Sequence, residues 1–352
     1  MLPASPAAAQ VRPPLFSLGR IPAVTRRVQV DMGTFHEGER AVQAQAGVVA
    51  EARGLGRGIS SGIPPGAEPF LEAQRLAVLA GVDAAAHVWA SLVTGNPGFI
   101  TAPSSRTLRL AARLSDVDPL SDGLSSDRPL GLLVIDPERR RRLRVNGRVI
   151  RADRTAIEIA TEEVFGNCPK YIQARAPEDA GAHPRGVISR WGTTLTGEQR
   201  LAIERADTLF IASVHATRGA DASHRGGQPG FVRVLDERRL RVPDYAGNNM
   251  FQTLGNIAID PRVGLLFVAF DTGTTLQLTG RARILWEVAD RAGLPGGRAS
   301  GRGRGRRGRG ARGAGAAGLA VRRILALQPA VGACRSIEGC HGFAAAPRAC
   351  GV

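Results

Sequence analysis

The chain states one pattern twice, at an offset of about 133 positions. Pro97-Gly98-Phe99-Ile100 returns as Pro229-Gly230-Phe231-Val232, and Gly131-Leu132-Leu133-Val134 as Gly264-Leu265-Leu266-Phe267. Leu143-Arg144-Val145-Asn146-Gly147-Arg148 returns as Leu276-Gln277-Leu278-Thr279-Gly280-Arg281. A repeat of this length predicts two copies of one domain type. Five residues separate Ser91 from Pro97, whereas fifteen, Val214 to Gln228, separate Ser213 from Pro229. With Ser91 matched to Ser213, the second copy carries ten extra residues rich in Arg, His, Ser and Gly, and ligand chemistry is expected there.

A length of 352 residues accommodates two domains with their own cores. The expected division is a disordered leader over 1–34, a first repeat with N-terminal helices over 35–180, a second over 190–290, and a low-complexity tail over 291–352. The net charge of +16 sits mostly in that tail, where twelve Arg face one Glu. The remainder carries only +5, so a basic partner surface is a property of the tail, not of the repeats. One cysteine in the body, Cys168, and three in the tail do not make a disulfide framework. No apolar run reaches the roughly 18 residues of a membrane span, and no signal-peptide pattern opens the chain. A cytoplasmic protein without a membrane partner is the expectation.

Short runs of β-branched and aliphatic residues bounded by Gly, Pro, Asp or Asn predict strands. In the first copy they are Val88 to Val93, Leu108 to Ala111, Leu130 to Ile135, Leu143 to Ile150 and Ala156 to Ala160. In the second they are Thr208 to Val214, Gly230 to Leu235, Arg239 to Val242, Gly264 to Phe270 and Thr275 to Ile284. Phe35 to Arg40 opens a polar helical stretch, Glu68 to Ala80 reads as a helix, and Asn249 to Ile259 as a short one. The predicted fold is mainly β with minor α: an antiparallel barrel in each copy. The counterpart of the Ala156 strand should begin near Ala289 and is missing. Gly and Arg alternate over Gly301 to Gly310 instead. Such a segment is either a disordered arginine-glycine extension or the product of a shifted reading frame in a GC-rich gene.

Three segments carry chemistry. Ala220 to Arg233 supplies, in Ser223, Arg225 and its glycines, a hydroxyl, a fixed cation and closely approachable backbone N–H groups, the types a phosphate needs, although a solvated polar loop has the same composition. Asn248 to Asn256 offers amides and the Thr253 hydroxyl at a helix start, where capping accounts equally for one Asn. Phe165 to Arg175 holds Lys170, the only lysine against 46 arginines, and Tyr171, one of two tyrosines. Three weaker candidates read as structural. His36 with Glu37 or Glu39 has metal-ligand types but no second cluster to complete a set. Cys334, Cys340, His341 and Cys350 are irregularly spaced, and Arg139 to Arg142 reads as a solvated turn. No metal site is predicted.

The segments Asn167 to Gln173, Ala206 to Ser213, Gly230 to Asp236, Asn256-Ile257 and Asp260 to Phe267 together resemble the pyridoxamine 5'-phosphate oxidase-like family, in its subgroup with an NCPKYIQ motif. The likeness runs from about residue 35 to 290. It implies tandem split β-barrels, with an FMN site at the seam between two barrels that a homodimer or an intrachain pseudo-dimer completes. The implied FMN-binding residues are Lys170, Tyr171, Ser213, Ser223, His224, Arg225, Gly226, Gly230, Phe231, Val232, Arg233, Asn249 and Thr253. Phe231 and Val232 would wall the isoalloxazine, with Asn249 and Thr253 near the phosphate. Asn249 and Met250 stand where related members tend to carry arginine after Gly-Asn, which makes Arg225 the first choice of phosphate ligand. The implied function is an FMN-dependent oxidoreductase acting on an unidentified small molecule with an unidentified electron donor. The alternatives are a non-catalytic flavin-binding or sensing module, and nucleic-acid binding through the tail.

Overall fold

A computed structural model describes residues 33–176, 188–286 and, for the backbone path, 321–338. The expected leader lies outside the described residues except for Gly33 and Thr34, and so does most of the tail. The secondary structure belongs to the unit that starts at Thr34.

Two antiparallel sheets dominate, as the strand-rich sequence predicts. The first holds β1 (Leu76–Val82), β2 (Val88–Thr94), β3 (Ile100–Ser104), β4 (Thr107–Leu110), β5 (Pro129–Asp136), β6 (Arg141–Ala152) and β7 (Ile157–Gly166). The second holds β9 (Thr208–His215), β10 (Gly219–Gly226), β11 (Arg233–Asp236), β12 (Arg239–Tyr245), β13 (Arg262–Ala269), β14 (Thr274–Leu285) and β15 (Val321–Glu338), with β8 (Ile188–Gly192) on β15. The orders are β2-β1-β5-β6-β7-β4-β3 and β10-β9-β13-β14-β15-β12-β11. Shifted by eight strand numbers, they are one order. Around them lie α1 (Glu37–Ala46), α2 (Val49–Gly56), α3 (Glu68–Glu72), α4 (Gly197–Arg205) and α5 (Gln252–Ile259).

Four expectations of the fold need correction. Glu68 to Ala80 is not one helix, because α3 ends at Glu72 and Leu76 begins β1. The run Leu76-Ala77-Val78-Leu79-Ala80 is apolar without alternation because both of its faces are buried. Ala77 and Leu79 enter the core of the first sheet, and Leu76, Val78 and Ala80 a separate core between the sheets. Periodicity alone cannot tell such a run from a buried helix.

That misreading generated the second. Once β1 is a strand, β2 corresponds to β10 and Ser91 to Ser223, since Thr94 pairs with Leu76 as Gly226 pairs with Thr208. Both serines then stand six positions before their Pro-Gly-Phe turns. There are no ten extra residues.

Third, the strand missing near Ala289 lies at Val321–Glu338. Its backbone pairs with β14 and β12 as β7 pairs with β6 and β4. The predicted Gly230–Leu235 strand also starts later, at Arg233, because Gly230 takes a positive φ of 83° in the turn.

Each sheet curls round its own core, and the two meet through a third. Leu209 and Ile211 of β9 enter the second sheet's core, while Phe210, Ala212 and Val214 face the first sheet. At the meeting place stand the repeated glycines. A Cβ on Gly131 would lie 2.6 Å from the Ala220 carbonyl oxygen, and one on Gly264 2.6 Å from Trp89 Cα. Backbone cannot yield as a flexible side chain does, so Gly264→Val and Gly131→Val are each expected to destabilise by about 1–3 kcal/mol or more. Gly166→Ala, with no atom within 4 Å of the added carbon, serves as the control. Denaturant midpoints check this, and equal midpoints for all three variants would refute the close approach.

Candidate functional site

Strand alternation places Arg142, Arg144 and Asn146 on one face of β6, opposite the core residues Leu143 and Val145. That face meets β10 of the other sheet. Arg144 donates through Nη1 to both Asp221 oxygens (3.1 and 2.9 Å) and through Nη2 to Ser223 Oγ (2.8 Å). Asn146 Nδ2 donates to Asp221 Oδ1 at 3.3 Å. Arg142 donates to His224 Nδ1 (3.0 Å) and to the Cys168 carbonyl (2.7 Å). Arg225 Nη1 reaches Ser223 Oγ at 3.3 Å. Three guanidinium groups, two from the first sheet and one from the second, thus share a few side chains at the seam.

They line a cleft of about 640 Å³ together with Asn167, Cys168, Tyr171, His224, Gly226, Asp244, Tyr245, Gly247, Asn248, Asn249, Phe251, Gln252 and Thr253. The Asn167–Gln173 segment crosses the end of β10 so closely that a Cβ on Gly226 would lie 2.0 Å from the Tyr171 carbonyl oxygen. Gln173 Nε2 donates to the Gly227 carbonyl at 3.1 Å and Tyr171 Oη to that of Ala246 at 2.9 Å. Tyr171 itself has a φ of 67°, and its ring lies 5.3 Å from that of Tyr245. The third predicted segment closes the cleft. Phe251, at φ 63°, starts α5 without a side-chain cap, and Thr253 Oγ1 donates to Asp221 Oδ2 at 3.3 Å.

Electrostatics favour an anion. Burial, then the Arg144 charge, lowers the Arg142 guanidinium to about 10. Burial lowers that of Arg225 too, with Asp244 acting against it. Both stay charged at neutral pH, at a cost that a bound anion would offset. The Nε atoms of Arg142, Arg144 and Arg225 and both amide atoms of Asn167 are buried without a hydrogen-bond partner. Buried donors and acceptors of this kind call for a ligand. A phosphate-bearing ligand with a polar ring system fits this donor set.

Of the residues named from the sequence, Tyr171, His224, Arg225, Gly226, Asn249 and Thr253 line the cleft. Ser223 stands behind it, bonded to two of its arginines. The remaining six do not line it. Phe231 and Val232 are fully buried in the second sheet's core, so they form no wall of the cleft. Gly230 turns the chain, Arg233 and Lys170 are exposed, and Ser213 accepts from Asn256 Nδ2 at 3.0 Å elsewhere. Arg142 is not part of a solvated turn, unlike exposed Arg139 to Arg141. Arg144 and Asp244 lie outside the predicted site segments, and Asp221 lies inside the Ala220–Arg233 segment but is not among the site residues named from the sequence. The signal was present in Arg142-Leu143-Arg144-Val145-Asn146, where polar residues alternate with core residues.

The other half of the seam is built differently. By strand pairing, Gln277 corresponds to Arg144, and Trp89, Ser91 and Val93 to Asp221, Ser223 and Arg225. Gln277 Nε2 donates to the Ala90 carbonyl (2.9 Å), Ser91 Oγ (3.0 Å) and Asp118 Oδ2 (3.1 Å). A neutral amide and two apolar side chains thus replace the two cations and the acid.

The family profile described as Pyridoxamine 5'-phosphate oxidase matches residues 195–327, a span that runs past β14 into β15. Over this segment the chain is similar to the pyridoxamine 5'-phosphate oxidase family. The solved structure of HupZ from Group A Streptococcus is 16% identical, covers 43% of this chain and 98% of its own, and has a TM-score of 0.28. A putative pyridoxamine 5'-phosphate oxidase from Lactobacillus delbrueckii is 14% identical, with coverages of 40% and 93% and a TM-score of 0.27. HutZ, the heme storage protein from Vibrio cholerae, is 14% identical, with coverages of 41% and 94% and a TM-score of 0.25. No curated protein matches the chain. Among the described residues no helix is long and apolar enough to cross a membrane.

The cleft also predicts a pH response. Burial first, then Arg142 and Arg225, holds the His224 pKa well below its ordinary 6.5. The unfolded chain therefore binds a proton that the folded one refuses. The resulting stability is complete above pH 6.5 and falls as the pH drops below it, by up to about 1.4 kcal/mol per unit. His224→Asn, which keeps an acceptor for Arg142, is expected to flatten the decline between about pH 6.5 and 5 in chemical denaturation. Part of the slope persists through His36, which burial lowers to about 4. A slope identical to wild type would reassign the effect.

Proposed function

We propose that the chain is an FMN-binding oxidoreductase in which two tandem split-barrel repeats, a pseudo-dimer within one chain, together form a single flavin site. The observation that carries this reading is the arginine trio of the seam, Arg142, Arg144 and Arg225, with buried Nε atoms that have no partner. Arg225 and Arg142 would hold the phosphate, and Asn167 would pair with it or with the ring edge. Arg144, clamped by Asp221 and Ser223, acts by positioning. Tyr171, Tyr245 and Phe251 supply ring surfaces in the place expected of Phe231 and Val232. Bound FMN supplies hydride and electron transfer; the protein supplies orientation, charge and exclusion of water. A cytoplasmic location accompanies this reading.

The test is the absorbance spectrum of the purified protein, with the released chromophore weighed by mass spectrometry. A flavin spectrum corresponding to one FMN per chain is expected; a colourless protein that refuses added FMN, or a haem spectrum, would overturn the reading. Two equivalents would show that the Gln277 side of the seam also binds. Arg225→Ala is expected to weaken FMN binding by about 1.5–3 kcal/mol, the range for a hydrogen bond to a charged group. Anaerobic bleaching by NADH or NADPH, followed by recovery with an acceptor, separates an enzyme from a flavin-binding module.

A further inference from the structure

Away from the cleft, the start of α1 meets the end of β9. His36 and Glu37 come from one segment and His215 from another 178 residues along the chain. One nitrogen of each imidazole and a Glu37 oxygen lie within 4.8 Å of one another. The sequence held no second cluster to complete a ligand set for His36; the fold brings His215 to it. We propose that these three side chains form a binding site for a divalent transition metal of the zinc class. Two imidazoles and one carboxylate, with water in the remaining position, are a common set for such ions.

The geometry supports a shared ion. The two rings are stacked, 4.1 Å between centroids and 29° between planes, so both present an edge to the same carboxylate. His215 Nε2 lies 3.2 Å from Glu37 Oε1 and His36 Nδ1 lies 4.0 Å from Glu37 Oε2. Both imidazoles are buried, whereas the Glu37 side chain is 58% exposed, which leaves a route for an ion and its water on the carboxylate side.

Partners behind the ligands orient them. Asn256 Nδ2 donates to Ser213 Oγ at 3.0 Å, which turns Asn256 Oδ1 toward His36 Nε2, also at 3.0 Å. Nε2 then carries the hydrogen and the lone pair falls on Nδ1, the nitrogen facing Glu37. Ser213, expected to serve a cofactor, thus supports this trio. Thr217 Oγ1 and the backbone N–H groups of Thr217 and Arg218 all lie 3.3 Å from His215 Nδ1; when Nε2 binds a metal, Nδ1 carries the hydrogen toward Thr217 Oγ1 and the two N–H groups turn from it. The ion would replace four contacts: those two, the Gly38 N–H donated to His36 Nδ1 at 3.1 Å, and the His215–Glu37 hydrogen bond. His215 changes tautomer on binding, its hydrogen passing through solvent from Nε2 to Nδ1 without net charge change on the ring.

Titration of the metal-stripped full chain with Co²⁺, followed by visible ligand-field absorption, and with Zn²⁺ against a chromophoric chelator, tests the site. One equivalent is expected, with nitrogen and oxygen character and no thiolate charge-transfer band. Glu37→Gln and His215→Gln should each weaken it by at least about tenfold. Glu37 is exposed, so its variant is expected to fold, and matching circular dichroism melts would establish that. Replacement of Cys334, Cys340 and Cys350 by Ser should leave binding unchanged. Absence of stoichiometric binding, wild-type affinity in both Gln variants, or loss in the Ser variant would each overturn the assignment.

Discussion

The architecture depends on how closely two sheet backbones approach. At Gly131 and Gly264 a strand of each sheet lies against the other with no room for a side chain, and this contact sets the height of every residue along the seam. A side chain at either position would push the two sheets apart and lengthen the hydrogen bonds from Arg144 to Asp221 and Ser223 that cross between them. The cleft is therefore a consequence of the glycines as much as of the arginines that line it.

The same seam shows how one scaffold supports two different outcomes. On one side the Arg144–Asp221 ion pair is buried, with side-chain exposures of 6% and 3%. Such a pair contributes little net stability because desolvation offsets its attraction. Its retention is better explained by what it positions: with Arg144 clamped, Arg142 and Arg225 line the cleft, with the Asp244 carboxylate near Arg225. On the other side, the neutral Gln277 amide donates to Ser91 and to the buried Asp118 carboxylate. The positions of Asp221 and Arg225 are held there by the apolar side chains of Trp89 and Val93.

Much of this was legible in the chain. The Ser223–Gly226, Asn248–Thr253 and Asn167–Gln173 segments were recognisable separately, since Gly, Asn and a lone Lys-Tyr pair stand out against their surroundings. The structure brings all three to one cleft. What misled was β1. Its continuous apolar run arises from burial on both sides, a tertiary fact, and reading it as a helix displaced Ser91 from Ser223 and created an apparent insertion. Phe231 and Val232 misled for a related reason, since a turn motif says where the chain bends but not which cavity its side chains enter.

The amino-acid sequence by itself determined the local elements: strands from alternation and β-branching, turns from Pro-Gly-Phe, a duplicated order from the recurrence of both. It also determined which residue types were present to hold an anion. Only the tertiary structure decided which of them meet. Arg142 and Arg144 lie about 80 residues from Ser223 and Arg225, and His36 lies farther still from His215. Contacts at such separations depend on the registers of two sheets and the distance between them. Those are properties of the packed whole, because alternation assigns a side chain to a face of its own strand and says nothing of what lies opposite.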